Sequence, residues 1–271
     1  MKIGNKDFEI GKRTYIMGIL NITPDSFSDG GRFNNIEDAI KQARIMVAEG
    51  VDIIDIGGES TRPGHSTVCE DEEIKRVIPI IEALSTELDV PISIDTYKGK
   101  VAELALRAGA AMINDVWGFK KDLYIAEVAA KYNVPCCLMH NRDNRKYNNL
   151  IEDILKDLGE SITIALKAGV RSENIIIDPG IGFAKSYEDN LRTMNNLEKL
   201  NSLGYPVLLG TSRKSMTGIA MDLPVEERLE GTLATTTIGI MKGCEFIRVH
   251  DILENKRVCV MTDAICRILR K

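Results

Sequence analysis

The chain has 271 residues, of which 44% are hydrophobic and 28% charged, and its formal net charge at pH 7 is −5. This composition suits a globular core, while the acidic balance argues against nucleic acids and membrane surfaces as partners, because both are themselves negatively charged. No linker rich in Pro, Ser or Gly is present, so one domain over residues 1–271 is predicted. The six cysteines lack Cys-x-x-Cys spacing and follow no secretory leader, which predicts reduced thiols in a cytoplasmic protein.

Buried strands recur along the chain, each ending abruptly in polar or glycine residues. The first 11 residues alternate in hydrophobicity around a turn at Asn5-Lys6, which predicts a small hairpin that plugs the floor of the fold. Eight apolar runs then predict strands that are covered on both faces. They lie at 16–20, 51–56, 91–94, 111–113, 135–139, 174–177, 206–209 and 246–247.

Helical periodicity separates these strands, most clearly where Ile151, Ile154 and Leu158 recur on one face. Helices are predicted at 35–49, 71–88, 97–108, 122–132, 151–166, 186–200, 224–242 and 255–269. About eight strand and helix units in this length predict an α/β fold of the (β/α)8 TIM barrel type. An open doubly wound sheet is the alternative, because alternation alone does not show whether the sheet closes.

Polar residues at the strand ends are expected to converge on one site, since parallel strands present their carboxyl ends at one face. Asp95, Asn114 and Asp178 are short side chains that need hydrogen-bond partners when buried. A flat heterocycle with several N–H donors would satisfy them. The alternative is that they bond to one another or to loop backbone.

Basic residues follow the last two predicted strands, where barrels often bind phosphate. Lys214 closes the loop after the seventh strand, and Arg248 and His250 follow the eighth. Together with Arg62 they predict a basic pole, because guanidinium groups match phosphate oxygens bidentately. Solvated loop charges are one alternative, and a Schiff-base Lys214 in an aldolase-like barrel is another.

Eight sequence blocks in order resemble the signatures of the bacterial dihydropteroate synthases. Their combined order along nearly the whole chain makes chance agreement improbable, and residues 141–149 are the least similar part. The first two blocks are Met17-Gly-Ile-Leu-Asn-Ile-Thr-Pro-Asp-Ser-Phe-Ser-Asp-Gly-Gly31 and Asp55-Ile-Gly-Gly-Glu-Ser-Thr-Arg-Pro-Gly64. The others lie at 93–96, 113–116, 138–140, 178–185, 210–215 and 248–250.

The resemblance implies a transferase of folate biosynthesis with a (β/α)8 barrel. Such an enzyme joins 6-hydroxymethyl-7,8-dihydropterin pyrophosphate to p-aminobenzoate with the help of Mg²⁺, and releases pyrophosphate and 7,8-dihydropteroate. Loss of pyrophosphate before attack by the amine is expected, so that no strong general base is needed. A homodimer built from helices late in the chain is also implied.

The resemblance also implies a role for individual residues, with Lys214, Asp95, Asn21 and Asp25 as the catalytic set. The pterin ring would be bound by Asp95, Asn114, Met139, Asp178, Phe183, Gly210 and Lys214. Pyrophosphate would be bound by Asn21, Thr61, Arg62, Arg248 and His250, with Asn21 as the protein ligand of Mg²⁺. The p-aminobenzoate would contact Thr61, Arg62, Pro63, Phe183, Lys214 and Ser215.

Two other functions use the same ring-binding residues. A methyltetrahydrofolate-binding barrel of the corrinoid methyltransferase type is one, but its substrate carries no pyrophosphate for Arg62 and Arg248 to bind. A catalytically silent pterin-binding protein is the other. The polar loop residues Asn21, Asp25, Thr61 and Arg62 argue against it.

Overall fold

The computed structural model of the chain describes residues 1–22, 32–59 and 67–267. In these ranges strands and helices alternate after a short N-terminal hairpin. The strands are β1 (Lys2–Ile3), β2 (Lys6–Asp7), β3 (Tyr15–Asn21), β4 (Ile53–Gly57), β5 (Ile92–Asp95), β6 (Met112–Asp115), β7 (Cys136–Met139), β8 (Ile175–Asp178), β9 (Leu208–Leu209) and β10 (Phe246–Val249). The helices are α1 (Arg32–Ala48), α2 (Glu70–Glu87), α3 (Gly99–Arg107), α4 (Tyr124–Tyr132), α5 (Leu150–Ala168), α6 (Tyr187–Asn195), α7 (Ser215–Met221), α8 (Leu229–Met241) and α9 (Ile252–Cys266).

The parallel sheet closes into a barrel. Its strand order is β8-β7-β6-β5-β4-β3-β10-β9, so β8 and β9 stand at its two ends. A parallel bridge between Ile177 and Val207 joins these ends, and the Ile177 N–H donates to the Pro206 carbonyl at 2.9 Å. The predicted (β/α)8 barrel is therefore confirmed, and the open-sheet alternative is wrong.

The hairpin β1–β2 plugs the barrel floor, as the sequence predicts. Side chains alternate along each strand, so every second residue faces the interior. The lowest interior layer and the hairpin residues Ile3 and Phe8 form one buried cluster. The strand residues of that cluster are Tyr15, Met17, Ile53, Met112, Cys137, Ile176, Leu208 and Phe246.

Replacing Phe8 by alanine should lower the free energy of unfolding by about 3–5 kcal/mol, because it leaves a cavity in a close-packed floor. The Phe8 ring centroid lies 4.7 Å from that of Tyr15 and 6.1 Å from that of Phe246. Urea denaturation measures the change, with Lys2→Ala on the exposed side of the same hairpin as the control. A loss below about 1 kcal/mol would mean that the hairpin contributes little to the core.

The predicted helices are present, with shifted ends in some places. The one predicted at 186–200 is an exception, because α6 ends at Asn195 and a separate 3-10 helix follows at Leu197–Leu203. The segment predicted at 224–242 begins as a 3-10 turn at Val225–Glu227 and becomes α8 at Leu229. The short helix α7 was not predicted, since seven residues directly after a loop give too little periodicity. None of the described helices combines the length and apolarity needed to cross a membrane.

Candidate active site

A cavity of about 270 Å³ opens at the carboxyl ends of the barrel strands. Every predicted site residue within the described ranges lines it, so the strand ends converge on one site, while the role of each residue stays a prediction. These residues are Asn21, Asp95, Asn114, Met139, Asp178, Phe183, Gly210, Lys214, Ser215, Arg248 and His250. Predicted residues Asp25, Thr61, Arg62 and Pro63 lie outside the described residues.

One oxygen of the Asp178 carboxylate bonds to the protein backbone, and the other faces the cavity. Its Oδ1 accepts the backbone N–H of Gly180 at 2.6 Å, which leaves Oδ2 for the cavity. Gly180 has φ +67°, and a side chain there would collide with the carbonyl oxygen of His140. The turn that presents the carboxylate therefore requires glycine. Burial raises the pKa of Asp178, while the nearby Lys214 ammonium acts against that shift.

Lys214, the residue before α7, places a cation in the same pocket close to Asp178, since a Cβ on Gly210 would lie 3.9 Å from both Lys214 Nζ and Asp178 Oδ2. Its Nζ donates to the carbonyl oxygen of Ile181 and lies 4.7 Å from the centroid of the Phe183 ring. Burial lowers the pKa of Lys214 to about 8, although the Asp178 carboxylate opposes the change. The ammonium is therefore mostly protonated at neutral pH, but close to its titration range.

Arg248 lies between two buried carboxylates instead of projecting from a loop. Its Nε donates to Asp55 Oδ2 and its Nη2 to Asp95 Oδ2, both at 2.6 Å. Burial raises the pKa of Asp95 to about 7, against the opposing effect of the guanidinium, and the carboxylates raise the pKa of Arg248. Arg248 is therefore not a solvated loop charge, and that alternative is wrong for this residue.

His250 is held by a serine on the neighbouring strand end. The Ser212 Oγ accepts the His250 backbone N–H at 3.1 Å and lies 2.9 Å from the ring Nδ1. A hydroxyl that already accepts this N–H has its own hydrogen available for Nδ1. In the tautomer in which Ser212 donates to Nδ1, the proton of the neutral ring sits on Nε2.

A buried network supports the loop that carries Phe183. The Lys185 Nζ, in a side chain 4% exposed, donates to the carbonyls of Gly180 and Phe183 at 3.0 and 3.2 Å. The same Nζ lies 2.9 Å from Nδ1 of His140. The other ring nitrogen of His140, Nε2, lies 3.1 Å from Asp157 Oδ2. Burial lowers the pKa of Lys185 to about 7 and that of His140 to about 4. The neutral histidine can therefore accept from the lysine.

Comparison with known proteins places this site in a family. A family model described as pterin binding enzyme matches residues 17–250. The dihydropteroate synthase of Clostridium beijerinckii is 68% identical over 98% of this chain and 100% of its own length. The chain belongs to the dihydropteroate synthases.

Solved structures of the dihydropteroate synthases agree with this membership. The enzyme from Clostridium difficile, solved in the presence of pteroic acid, is 55% identical with a TM-score of 0.95. That match covers 96% of this chain and 100% of the other. The Xanthomonas albilineans enzyme with 4-aminobenzoic acid is 39% identical with a TM-score of 0.89, covering 93% of both chains.

Three residues of the site carry contacts that the sequence did not single out. Asp55 accepts from Arg248, Ser212 holds His250, and Lys185 supports the loop of Phe183. A signal for Asp55 was present, because a polar residue interrupts a buried strand two positions before Gly57. That spacing puts it on the interior face of a dihydropteroate synthase barrel, one layer below the cavity.

Proposed function

We propose that the chain joins 6-hydroxymethyl-7,8-dihydropterin pyrophosphate to p-aminobenzoate, and so forms 7,8-dihydropteroate and pyrophosphate. One observation carries the proposal. The cavity combines two buried carboxylates and an amide, which suit a heterocycle rich in N–H groups, with the cations of Lys214 and Arg248, which suit a leaving anion.

Ring recognition rests on complementary hydrogen bonding. Asp178 Oδ2 accepts from the 2-amino and N3–H edge of the pterin, and Lys214 donates to the ring carbonyl and N5 region. Asn114 and Asp95 bind the remaining edge. Met139 and Phe183 supply the apolar surface that such pockets place against a ring, and Gly210 leaves room for it.

The pyrophosphate is assigned to Asn21, Arg248 and His250, which line the same cavity as the pterin-binding residues. Asn21 lines the cavity, and its side-chain amide oxygen is a hard ligand. No group of three His, Cys, Asp or Glu residues that could cage a metal occurs in the described ranges. One amide oxygen fits Mg²⁺, which usually keeps waters and phosphate oxygens around few protein ligands. Bound Mg²⁺ would supply charge stabilisation to the leaving pyrophosphate.

Bond breaking precedes bond making in the proposed reaction. The C–O bond to pyrophosphate breaks with its electron pair leaving on oxygen, which produces a methylene cation delocalised over the dihydropterin. Asp95, one layer above the barrel centre, stabilises that positive charge. The aniline nitrogen of p-aminobenzoate then attacks and loses its proton afterwards.

The remaining roles follow the sequence-based assignment. Asp25 is assigned to the methylene group. The p-aminobenzoate is assigned to Ser215 together with Thr61, Arg62 and Pro63.

Product analysis tests the function directly. Purified protein, dihydropterin pyrophosphate and Mg²⁺ are incubated with and without p-aminobenzoate, and pyrophosphate and dihydropteroate are measured. Coupled product that disappears with EDTA supports both the reaction and the metal. Pyrophosphate release without coupling would contradict the acceptor, while pterin binding without either product would favour the silent pterin-binding protein or the methyltransferase.

A Schiff base at Lys214 predicts a different result with borohydride. Reduction in the presence of substrate would raise the protein mass if Lys214 formed an imine. On the proposed reaction the mass stays unchanged, because Lys214 acts only as a hydrogen-bond donor and a charge. Mass spectrometry of the intact chain separates the two mechanisms.

The pH dependence of kcat/KM should be bell-shaped, with limbs near pH 7 and pH 8. Asp95 must be ionised, so activity falls as pH drops through its pKa of about 7. Lys214 must be protonated, so activity falls as pH rises through its pKa of about 8. Residual activity of Lys214→Arg should lose the alkaline limb, and that of Asp95→Asn the acid limb. Limbs that persist in both variants would belong to the substrate and contradict the assignment.

The homodimer is proposed from an apolar face on the late helices. Ile240 of α8 is buried against the barrel, whereas Ile238 and Met241 are exposed. Val260 and Ile265 of α9 are also exposed, and α8 packs against α9. Sedimentation should show a dimer at micromolar concentration and a monomer for Met241→Asp. A wild-type monomer would contradict the dimer.

A cytoplasmic location is part of the same proposal. All six cysteines are free thiols in the structure, which matches a reducing compartment.

A further inference from the structure

Asp55 lies beneath the cavity and contacts two residues that line it. Its side chain is fully buried, and its Oδ2 accepts Asn114 Nδ2 at 3.0 Å and Arg248 Nε at 2.6 Å. Asp55 on β4 pairs with Ser93 on β5. Asp95, which pairs with Asn114 on β6, lies two residues after Ser93 on β5, so Asp55 is one side-chain layer below it. Asp55 itself does not line the cavity.

These contacts fix the orientation of the Asn114 amide. A carboxylate paired with a guanidinium only accepts hydrogen bonds, so the NH₂ group of Asn114 must face Asp55. The carbonyl oxygen of Asn114 is then the atom left for the cavity. Without Asp55 the amide could rotate by 180° and turn its NH₂ group towards the cavity. That group could not hydrogen-bond to a ring N–H, because both are donors.

The same carboxylate also orients Arg248. Nε is taken by Asp55 and Nη2 by Asp95, so two of the three guanidinium nitrogens are fixed and Nη1 remains for an anion. A planar guanidinium held by two carboxylates has little rotational freedom left. Preorganisation of this kind lowers the entropy cost of binding.

We infer that Asp55 is a positioning residue for both halves of the substrate, holding Asn114 as an acceptor for the pterin ring and Arg248 as a donor for the pyrophosphate. The inference rests on the proposed function, because it takes the pterin and the pyrophosphate as the ligands. It adds a residue that touches neither ligand and acts through two that do.

Isothermal titration with 6-hydroxymethylpterin and with inorganic pyrophosphate, used as separate probes, tests this role. Asp55→Asn should weaken both ligands by about tenfold, because it removes one charge-assisted partner from each neighbour. In an Asn114→Ala background the same change should weaken pterin by less than about twofold, and in an Arg248→Ala background it should weaken pyrophosphate by less than about twofold. Full additivity in these cycles would overturn the role.

Ser93→Ala is the matched control. Ser93 is fully buried in the same layer beside Asp55, and its hydroxyl has no hydrogen-bond partner among the described residues. The variant should bind both probes as the wild type does. Equal losses in Ser93→Ala and Asp55→Asn would show that packing of the layer, and not the carboxylate, is responsible.

Asn114→Asp tests the contact without changing Asp55. It places two carboxylates at hydrogen-bond distance, so they must share a proton. Pterin binding by this variant should strengthen as pH falls, beyond the change seen for Asn114→Ala, and the absence of such a dependence would overturn the inference. If the wild type binds neither probe, the proposed function fails. If the wild type binds both probes and Asp55→Asn binds them equally well, only the role of Asp55 fails.

Discussion

Replacing Lys214 by alanine should lower kcat/KM by about a thousandfold, which corresponds to roughly 4 kcal/mol of lost transition-state stabilisation. The half-buried Lys214 side chain places its ammonium close to Asp178 and beside the Phe183 ring. Its removal takes away a donor to the pterin and leaves the buried Asp178 carboxylate without the cation that stabilises it most. Both kcat and pterin affinity should therefore fall.

Arg213 provides the matched comparison, because it is the adjacent basic residue and also lines the cavity. Its guanidinium is held by Asp251, with Nε at 3.0 Å from Oδ2, so its charge is already paired within the protein. Arg213→Ala should cost less than about tenfold in kcat/KM. Lys214→Met, which keeps the length of the side chain, should be as inactive as Lys214→Ala. Near-normal turnover in either Lys214 variant would remove the assignment.

The barrel was predictable from the sequence because its strands are buried on both faces. Ile175–Asp178 is a continuous apolar run that stops at a polar residue, and in Ile53–Gly57 only Asp55 interrupts the apolar residues before the glycine. Closure was not predictable in the same way. It depends on a single bridge between Ile177 and Val207, and β9 itself has only two residues.

The site was predictable as a set of residues but not as a set of contacts. Strand ends meet at one face, so Asp95, Asn114 and Asp178 could be grouped without a structure. Which of them pairs with Arg248 depends on the register and on side-chain length, and Asp55 one layer below takes one of its nitrogens. Asp55 stands out as a polar residue in a buried strand, but Arg248 lies 193 residues further along the chain, so the sequence does not show that the two are in contact.

Asp178→Asn should weaken binding of 6-hydroxymethylpterin by a factor of about a hundred to a thousand while leaving pyrophosphate binding within about threefold. The change keeps the shape of the side chain but leaves one acceptor oxygen in place of two. The Gly180 N–H claims that oxygen, since it already donates to Oδ1 at 2.6 Å. The amide NH₂ must then face the cavity, where it meets the donors of the pterin edge.

The stability of Asp178→Asn shows whether weaker pterin binding comes from the lost acceptor or from a destabilised fold. Burial raises the pKa of Asp178 above its ordinary value of 3.8, so the ionised group costs stability at neutral pH. The neutral asparagine should therefore unfold at the same or a higher urea concentration at neutral pH. This advantage should shrink as pH falls, because the wild-type carboxyl becomes protonated first in the folded state.

Asp115→Asn should show the opposite behaviour and serves as the control on β6, two strands away from Asp178 in the sheet. Both Asp115 oxygens accept backbone N–H groups, from Trp117 and Phe119 at 2.7 Å, and the residue does not line the cavity. Burial raises the pKa of Asp115 to about 7, so removing the charge returns part of the cost. An amide has only one acceptor for the two backbone donors, and this larger loss should leave the variant about 1–3 kcal/mol less stable, with pterin affinity within about threefold. If Asp178→Asn instead loses stability and both ligands together, the carboxylate supports the loop and does not read the pterin edge.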